Sequence, residues 1–189
     1  MNRKKQYLME IKIYGDKELR KKAALISNIT SDIKSLASEM TEMMHQKDGV
    51  GLAAPQVGIS KKLIVIDYKP DAEKLSNPIT FGESYLIPLM PVALINPEII
   101  SSSKETIVYE EGCLSMPQIY ANVERPKKVI IKAKLLNDEE IYFECGGLLS
   151  IIIQHEIDHL DGILFIDRVK SKDLSKIQKK LDKLKNTKL

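Results

Sequence analysis

Apolar residues recur at helical spacing in three parts of the chain, and each part predicts a helix. The first, 31–46, follows Thr30 and Ser31, either of which can cap a helix. Its apolar positions are Ile33, Leu36, Ala37, Met40, Met43 and Met44. The second, 147–160, begins after a glycine and runs through leucines and isoleucines. The third, 172–185, has its apolar positions at Leu174, Ile177, Leu181 and Leu184.

Shorter apolar stretches lie between the first two helices and predict strands. They fall at 62–68, near 92–95, at 105–109, at 128–136 and at 140–144. Residues 70–91 contain four prolines together with leucines and isoleucines, so we predict a long loop that serves as a lid or a dimer contact. Strands in the middle of the chain, between helices, indicate an α+β fold.

Length and composition favour one soluble domain over residues 1–189. Charged residues make up 29% of the chain, and no uncharged apolar run approaches the length that spans a membrane. The N-terminal residues are not followed by the apolar core of a signal peptide, so the predicted compartment is the cytoplasm. In that reducing compartment Cys113 and Cys145 are not expected to form a structural disulfide.

The positive charge of the chain is concentrated at its C-terminal end. Residues 169–189 contain eight lysines against Asp173 and Asp182, whereas the whole chain has a net charge of only +3. One interpretation is a solvated amphipathic helix that packs its apolar face on the body of the protein. The other is a basic helix that docks on a polyanion, with RNA favoured. No DNA or membrane partner is predicted.

The segment Gln154-His155-Glu156-Ile157-Asp158-His159 carries the strongest chemical signal. Histidines four residues apart lie on one face of a helix, so His155 and His159 can bind one metal ion. Glu156 can then reach a water molecule on that ion, and such a site carries out hydrolysis. The same helical stripe is apolar before the first histidine, which predicts an apolar pocket beside the metal. The alternative is a pair of core or surface histidines with a coincidental glutamate.

Two histidines leave a divalent ion short of protein ligands, so a third is expected elsewhere in the chain. The candidates are Cys113, Cys145, His45 and the carboxylates. Cys145 comes just ahead of the metal-binding helix and would point at the ion only by accident. Cys113 follows Gly112 between a predicted strand and a turn, where a thiolate and backbone N–H groups can converge on an external site. The residues therefore favour Cys113 over Cys145 by a modest margin.

Three segments of the chain resemble, in order, the three signature motifs of the peptide deformylase family. They are Gly49-Val50-Gly51-Leu52-Ala53-Ala54-Pro55-Gln56, Glu111-Gly112-Cys113-Leu114-Ser115 and Gln154-His155-Glu156-Ile157-Asp158-His159. The resemblance implies that Cys113, His155 and His159 bind the metal. In this family the metal is usually ferrous iron, with zinc, nickel or cobalt able to occupy the site. The expected fold is one compact domain with antiparallel sheets around a central metal-binding helix and a C-terminal helix.

The activity that the resemblance implies is removal of the formyl group from formylmethionyl nascent peptides, with release of formate. In this hypothesis a water on the metal attacks the formyl carbon, while Glu156 takes the proton of that water and later delivers it to the departing amine. The resemblance assigns the oxyanion donors to the Gln56 side chain and the backbone N–H of Leu114. Gly51 is expected to let the substrate amide lie close to its loop.

The methionine side chain of the substrate is expected to enter the apolar pocket, because it is flexible and polarisable. The residues predicted to bind the substrate are Val50, Gly49, Leu148, Ile152 and Arg125. Many members of the family have an arginine in place of Tyr120 near the substrate entrance, so the rim of this chain departs from the common pattern.

The ribosome is a second partner that the resemblance implies. In bacterial relatives a C-terminal helix contacts the ribosome near the exit of the nascent chain, and residues 172–185 are the corresponding basic segment here. RNA is therefore the expected partner of that helix.

Two other functions compete with deformylation. One is a metallopeptidase built on the same helix, for which only Asp161 and Asp167 follow as further ligands. The other is a non-catalytic ribosome-binding protein with a structural metal, which would need neither Glu156 nor Gln56.

Overall fold

The computed structural model describes residues 9–71, 73 and 75–186, and these contain four α-helices and seven strands. The helices are α1 (Ser31–Gln46), α2 (Phe81–Leu86), α3 (Gly147–Leu160) and α4 (Ser171–Asn186). The strands are β1 (Gly51–Ala53), β2 (Leu63–Ile66), β3 (Val92–Ser102), β4 (Thr106–Cys113), β5 (Met116–Pro126), β6 (Val129–Lys134) and β7 (Glu140–Cys145). The three predicted helices and the α+β class are confirmed.

The strands form two antiparallel sheets. One has five strands in the order β1-β2-β3-β6-β7, and the other pairs β4 with β5. The strands predicted near 92–95 and 105–109 are confirmed, but they continue as far as Ser102 and Cys113. The antiparallel arrangement is the one expected.

Strand β5 is absent from the predicted elements, and its burial explains the omission. Ala121 and Arg125 point inward, whereas Tyr120 points outward and is 58% exposed. Ile119, Ala121 and Val123 do alternate with exposed residues, but the aromatic residue outside and the arginine inside interrupt the apolar–polar pattern that marks a half-buried strand. The sequence pattern therefore misses the strand that carries Arg125.

Alternate residues of β2 face two different helices. Ile64 and Ile66 belong to the apolar cluster that includes α3, whereas Leu63 and Val65 belong to the cluster that includes α1. Because both faces of the sheet are covered here, β2 reads as a continuous apolar run rather than an alternating one. Helix α3 is buried along Leu149–Leu160 and lies at the centre of the domain, as predicted.

The prediction of a loop throughout 70–91 is wrong for its second half, where α2 forms. Thr80 and Glu83 make a capping box that starts this helix, a signal already present in the sequence. The Glu83 carboxylate is buried and also accepts a hydrogen bond from the Ser76 backbone N–H at 2.7 Å. The segment is therefore held by its own polar groups, and α2 packs against β7. The role of residues 70–91 as a lid or a dimer contact stays a prediction.

Helix α4 packs on the body through its predicted apolar face. Ile177 and Leu181 are buried in a cluster with residues of β5 and of the 3₁₀ turn Phe165–Arg168, while the lysines of the opposite face are exposed. The interpretation as an amphipathic helix packed on the body is confirmed, and the basic face stays open to a partner. Residues 187–189, with Lys188, lie outside the described residues. Within the described part of the chain, no helix has both the length and the apolar character needed to cross a membrane.

Candidate metal centre and active site

Helix α3 presents His155 and His159 side by side. Gly146 is its N-cap and Gly162 lies just past its end with a φ of 73°, so the glycines flank the helix as its sequence suggests. The centroids of the two imidazole rings are 5.1 Å apart in an edge-to-face arrangement, and both rings are buried. Both side chains can therefore reach a single ion.

Cys113 lies at the end of β4, where the pairing with β5 shifts register. Its Sγ is 3.3 Å from Nε2 of His159. One ligand atom from each of Cys113, His155 and His159 lies within 4.8 Å of the others, and the described residues contain no second group of three such side chains. The structure thus brings together the three ligands that the resemblance implies.

The other candidate ligands lie elsewhere. Cys145 is buried at the end of β7, and His45 is in the last turn of α1. Asp161 and Asp167, the ligands that a metallopeptidase would need, do not belong to the group either. The structure groups Cys113, and not Cys145, with the two histidines, and the choice of Cys113 as the metal ligand stays a prediction.

Glu111 supports His155 from the side away from the other ligands. Its Oε2 accepts a hydrogen bond from Nδ1 of His155 at 2.8 Å, which leaves Nε2 of the ring for an ion. Burial alone would lower the pKa of His155, but hydrogen bonds with Cys113 and Glu111 raise it well above the usual value. Because a proton and a metal ion compete for the same nitrogen, surroundings that attract one also attract the other.

His159 has the opposite electrostatic character. Burial lowers its pKa well below the usual value, so the ring is neutral, as a metal ligand must be. Its Nδ1 is buried and has no hydrogen-bond partner among the described residues, whereas its Nε2 faces Cys113 Sγ and is the nitrogen available to an ion. A thiolate with two imidazoles suits zinc or ferrous iron. These residues fit a divalent ion.

Glu156 is buried beside the histidines, and its Oε2 has no hydrogen-bond partner among the described residues. Burial raises the pKa of this carboxyl to about 7. A Cβ added to Gly51 would lie only 2.6 Å from Oε1 of Glu156. Gly51 therefore makes room for the carboxylate, a reason for this glycine that the sequence interpretation does not contain.

The side-chain amide of Gln56 is fixed at both ends. Its Oε1 accepts a hydrogen bond from the Ala53 backbone N–H at 2.8 Å, and its Nε2 lies 3.3 Å from both Cys113 Sγ and Ser115 Oγ. These contacts aim the amide N–H groups at the candidate ligands. The roles of Gln56 and of the Leu114 N–H as oxyanion donors stay predictions.

A cavity of about 470 Å³ opens onto the candidate ligands. Its lining includes the predicted site residues Gly49, Val50, Gly51, Gln56, Cys113, Leu114, Leu148, Ile152, His155 and Glu156. Leu148 and Ile152 give it an apolar wall next to His155. Tyr120 also lines it, with its ring against Gly112, where a Cβ would lie 2.6 Å from the ring. An apolar wall beside a few polar groups is typical of a ligand-binding cavity, and binding of a methionine side chain there stays a prediction.

The prediction that Arg125 binds the substrate is wrong. Its side chain is 2% exposed and forms ion pairs with Glu111 and Asp158, so it lies inside the protein rather than at the rim of the cavity. The regular alternation of β5 is the reason, because it places Arg125 on the buried face with Ala121 and Val123 and turns Tyr120 outward.

Sequence reasoning also missed the support that Glu111 and Asp158 provide. Glu111 is two residues before Cys113 on β4 and so shares its face of the strand, and Asp158 lies about one helical turn after His155. Both spacings are visible in the sequence. They place acidic residues next to metal ligands, and such carboxylates commonly orient a ligand histidine.

Comparisons with known proteins agree with this geometry. A family model described as polypeptide deformylase matches residues 8–175. Peptide deformylase 2 of Gloeobacter violaceus is 44% identical over 163 residues, which cover 86% of this chain and 80% of that protein. The peptide deformylase of Thermodesulfovibrio yellowstonii is 45% identical over 162 residues, covering 86% of this chain and 89% of that protein. The crystal structure of a plant peptide deformylase matches with a TM-score of 0.80 and 33% identity, covering 95% of this chain and 90% of that one.

Proposed function

This chain belongs to the peptide deformylase family, and we propose that Cys113, His155 and His159 bind the divalent ion that its reaction needs. The reaction removes the formyl group from the N-terminus of nascent peptides. One observation above all supports the assignment of residues: a thiol and two imidazoles lie within 4.8 Å of one another. Beside them is a buried oxygen of Glu156 that no other described residue satisfies.

Glu156 is the proposed general base and acid. A divalent ion bound by the three ligands supplies Lewis-acid chemistry, since it polarises a carbonyl and lowers the pKa of a water molecule. Glu156 accepts the proton that the attacking water loses and delivers it to the amine that leaves as the new N-terminus. A pKa of about 7 suits both transfers, because the carboxyl can take up and release a proton near neutral pH.

Gln56 and the Leu114 backbone N–H are the proposed donors for the charge that develops on the formyl oxygen. The Gln56 amide is held by Ala53 and Ser115, so it does not have to reorganise when the charge appears. Preorganised donors of this kind contribute on the order of 10²–10³ in rate.

The peptide itself binds along the cavity. We place the methionine side chain against Leu148, Ile152 and Val50, all of which line the cavity. Strand β4 pairs with β5 along one edge, and its other edge has no partner strand among the residues that the structure describes. An extended peptide can add to such an edge through backbone hydrogen bonds, which accept varied side chains after the methionine.

Replacement of Glu156 tests the proposed chemistry. Glu156→Ala and Glu156→Gln should retain the metal and lose formate release from a formylmethionyl tripeptide by orders of magnitude, because both lack the proton acceptor. Metal content by elemental analysis is the control for an intact centre. Near-normal turnover at full metal content would contradict the assignment of the base. An N-acetylated peptide of the same sequence separates deformylation from peptidase activity. A deformylase should leave its peptide bonds intact, whereas a peptidase should cleave them.

Ferrous iron is the proposed metal in the cell, with zinc, nickel and cobalt as possible replacements. The thiolate of Cys113 and the two imidazoles form a donor set that these ions share. A ferrous centre with a thiolate ligand should lose activity in air, whereas a zinc-loaded one should keep it. Metal analysis of protein purified without oxygen, with activity expressed per metal, tests the choice.

The exposed lysines of α4 are the proposed contact with ribosomal RNA, which would place the enzyme in the cytoplasm beside the emerging chain. The Lys179→Glu/Lys180→Glu double variant should co-sediment less with ribosomes, and wild-type binding should fall as salt rises. Lys34→Glu/Lys104→Glu, which reverses two exposed lysines elsewhere, is the matched control. Equal loss in both variants would indicate non-specific attraction instead.

A further inference from the structure

A chain of ion pairs runs from the ligand His155 towards the C-terminal helix. Glu111 Oε2 accepts hydrogen bonds from His155 Nδ1 at 2.8 Å and from Arg125 Nη2 at 2.9 Å. Arg125 Nη1 donates to Asp158 Oδ2 at 2.8 Å, and Arg168 Nε donates to the same oxygen at 2.6 Å. Charges alternate along the chain, so each carboxylate lies between two donors.

Burial makes each member of this chain depend on its neighbours. Glu111, Arg125 and Asp158 are all buried, whereas the side chain of Arg168 is 41% exposed. A buried charge that loses one partner stays uncompensated, and the groups around it rearrange. The position of the Glu111 carboxylate, which orients the His155 ring, therefore depends on Arg168 through the two residues between them.

A second contact joins the polypeptide around Arg168 to His155. Phe165 lies at the start of the 3₁₀ turn that ends at Arg168, and its ring stacks on the His155 imidazole with centroids 6.0 Å apart and an interplanar angle of 25°. The turn therefore touches His155 directly through Phe165 and indirectly through Arg168. Displacement of the turn would move both supports together.

The residues that connect this 3₁₀ turn to the start of α4 are also held in place. Val169 forms a β-bridge with Val123, and Lys170 pairs with Glu124 at 2.8 Å. Both partners lie on β5, immediately before Arg125. The residues that lead into α4 are thus fixed to the strand that holds the ion-pair chain.

We propose that Arg168 is a positioning residue for the metal ligand His155, acting through Asp158, Arg125 and Glu111. The seating of the C-terminal helix on β5 then influences how firmly the ion is held. This inference rests on the proposed metal centre. It concerns residues of this chain, and its effect on metal release can be measured without an activity assay.

The experiment compares metal release from four proteins: wild type, Arg168→Gln, Arg168→Lys and Arg20→Gln. Arg20 is the comparison variant, because its side chain is 45% exposed and pairs with Asp167 of the same turn. Among the described residues, none of its hydrogen bonds or ion pairs reaches Asp158, Arg125 or Glu111, so it tests whether loosening the turn alone releases the ion. Each protein is loaded with one equivalent of Co²⁺. The readouts are the visible absorption of the bound Co²⁺ and its rate of transfer to a chelator, with thermal unfolding as a check on folding.

Arg168→Gln should release Co²⁺ about 3- to 10-fold faster than wild type, below the roughly 10–100-fold expected for direct partners of a ligand. Its cobalt absorption should also change, since His155 is less well oriented. Arg168→Lys keeps the charge but cannot bridge both oxygens of Asp158, so its rate should be intermediate. It provides the comparison if the glutamine variant unfolds. Arg20→Gln should stay close to wild type.

Unchanged release from a folded Arg168 variant would overturn the proposal. So would an equal increase in Arg20→Gln, because the effect would then come from loosening the turn rather than from the contact between Arg168 and Asp158. Two other results would refute the ligand assignment itself. They are wild-type protein that binds no Co²⁺, and Co²⁺ binding that survives Cys113→Ser. Either result would also remove the inference about Arg168, which rests on that assignment.

Discussion

Replacing Gly51 with alanine tests whether this glycine exists to accommodate Glu156. The new Cβ would lie 2.6 Å from Oε1 and 3.0 Å from both Cδ and Cγ of the carboxylate. Ordinary contact begins at 3.4 Å, so the carboxylate has to move by roughly 0.8 Å. A misplacement of about 1 Å in a catalytic group costs on the order of 10² in rate. That loss corresponds to about 2.7 kcal/mol of transition-state stabilisation.

The assay is formate release from a formylmethionyl tripeptide, measured as kcat/KM, with metal content determined on the same samples. We expect Gly51→Ala to keep its metal and to lose about 10²-fold in kcat/KM. The matched measurement is the same substitution in a Glu156→Ala background. If Gly51 acts through Glu156, the second substitution should change little there, because the group it displaces is already gone.

Two results would refute this reasoning. Gly51→Ala with wild-type kcat/KM would mean that the carboxylate tolerates the new methyl group. A further 10²-fold loss in the Glu156→Ala background would mean that Gly51 contributes to binding of the substrate backbone instead, which is the role the sequence interpretation gives it.

Three other predictions concern metal binding and stability. Cys113→Ser should lower bound metal per chain and Cys145→Ser should not, as elemental analysis would reveal; the reverse pattern would contradict the ligand set. Arg125→Met should lower the free energy of unfolding by about 3–5 kcal/mol, because the buried Glu111 loses its arginine and the buried Asp158 loses one of its two; a urea titration with an unchanged midpoint would disagree. Burial acts to raise the pKa of Glu83, but hydrogen bonds from serine and threonine outweigh it and the pKa lies below its usual 4.5. Its stabilisation is therefore present above about pH 4.5 and lost as pH falls through the folded-state value. The stability difference between wild type and Glu83→Gln should accordingly shrink between neutral and strongly acidic pH, and a constant difference would exclude this account.

The sequence predicts well those helices and strands that have one buried apolar face and one solvent-exposed polar face. Helices α1 and α4 are examples, because each packs a single apolar stripe on the body while the rest stays in solvent. Strand β5 also has one buried and one exposed face, but its buried face includes the charged Arg125 beside Ala121 and Val123. Only the carboxylates of Glu111 and Asp158, far from it in sequence, make that burial tolerable. No local pattern contains this information.

The metal ligands are predictable for a related reason. His155 and His159 are fixed by the geometry of one helix, so their spacing alone brings them together. Cys113 is separated from them by strands and turns, and residue chemistry favours it only modestly over Cys145. The resemblance to a known family favours Cys113 in the sequence, and its distance of 3.3 Å from His159 supports the same candidate in the structure.

The three motifs touch one another in pairs. The contacts are Gln56 with Cys113, Glu111 with His155, and Gly51 with Glu156. Each motif therefore positions a chemical group that belongs to another, and none of them can be assessed alone. A side chain added at Gly51 should displace the Glu156 carboxylate, and loss of Glu111 should free the His155 ring. The order of the motifs along the chain thus reflects one packed site, in which a substitution is best judged by the group it moves rather than by the motif it occupies.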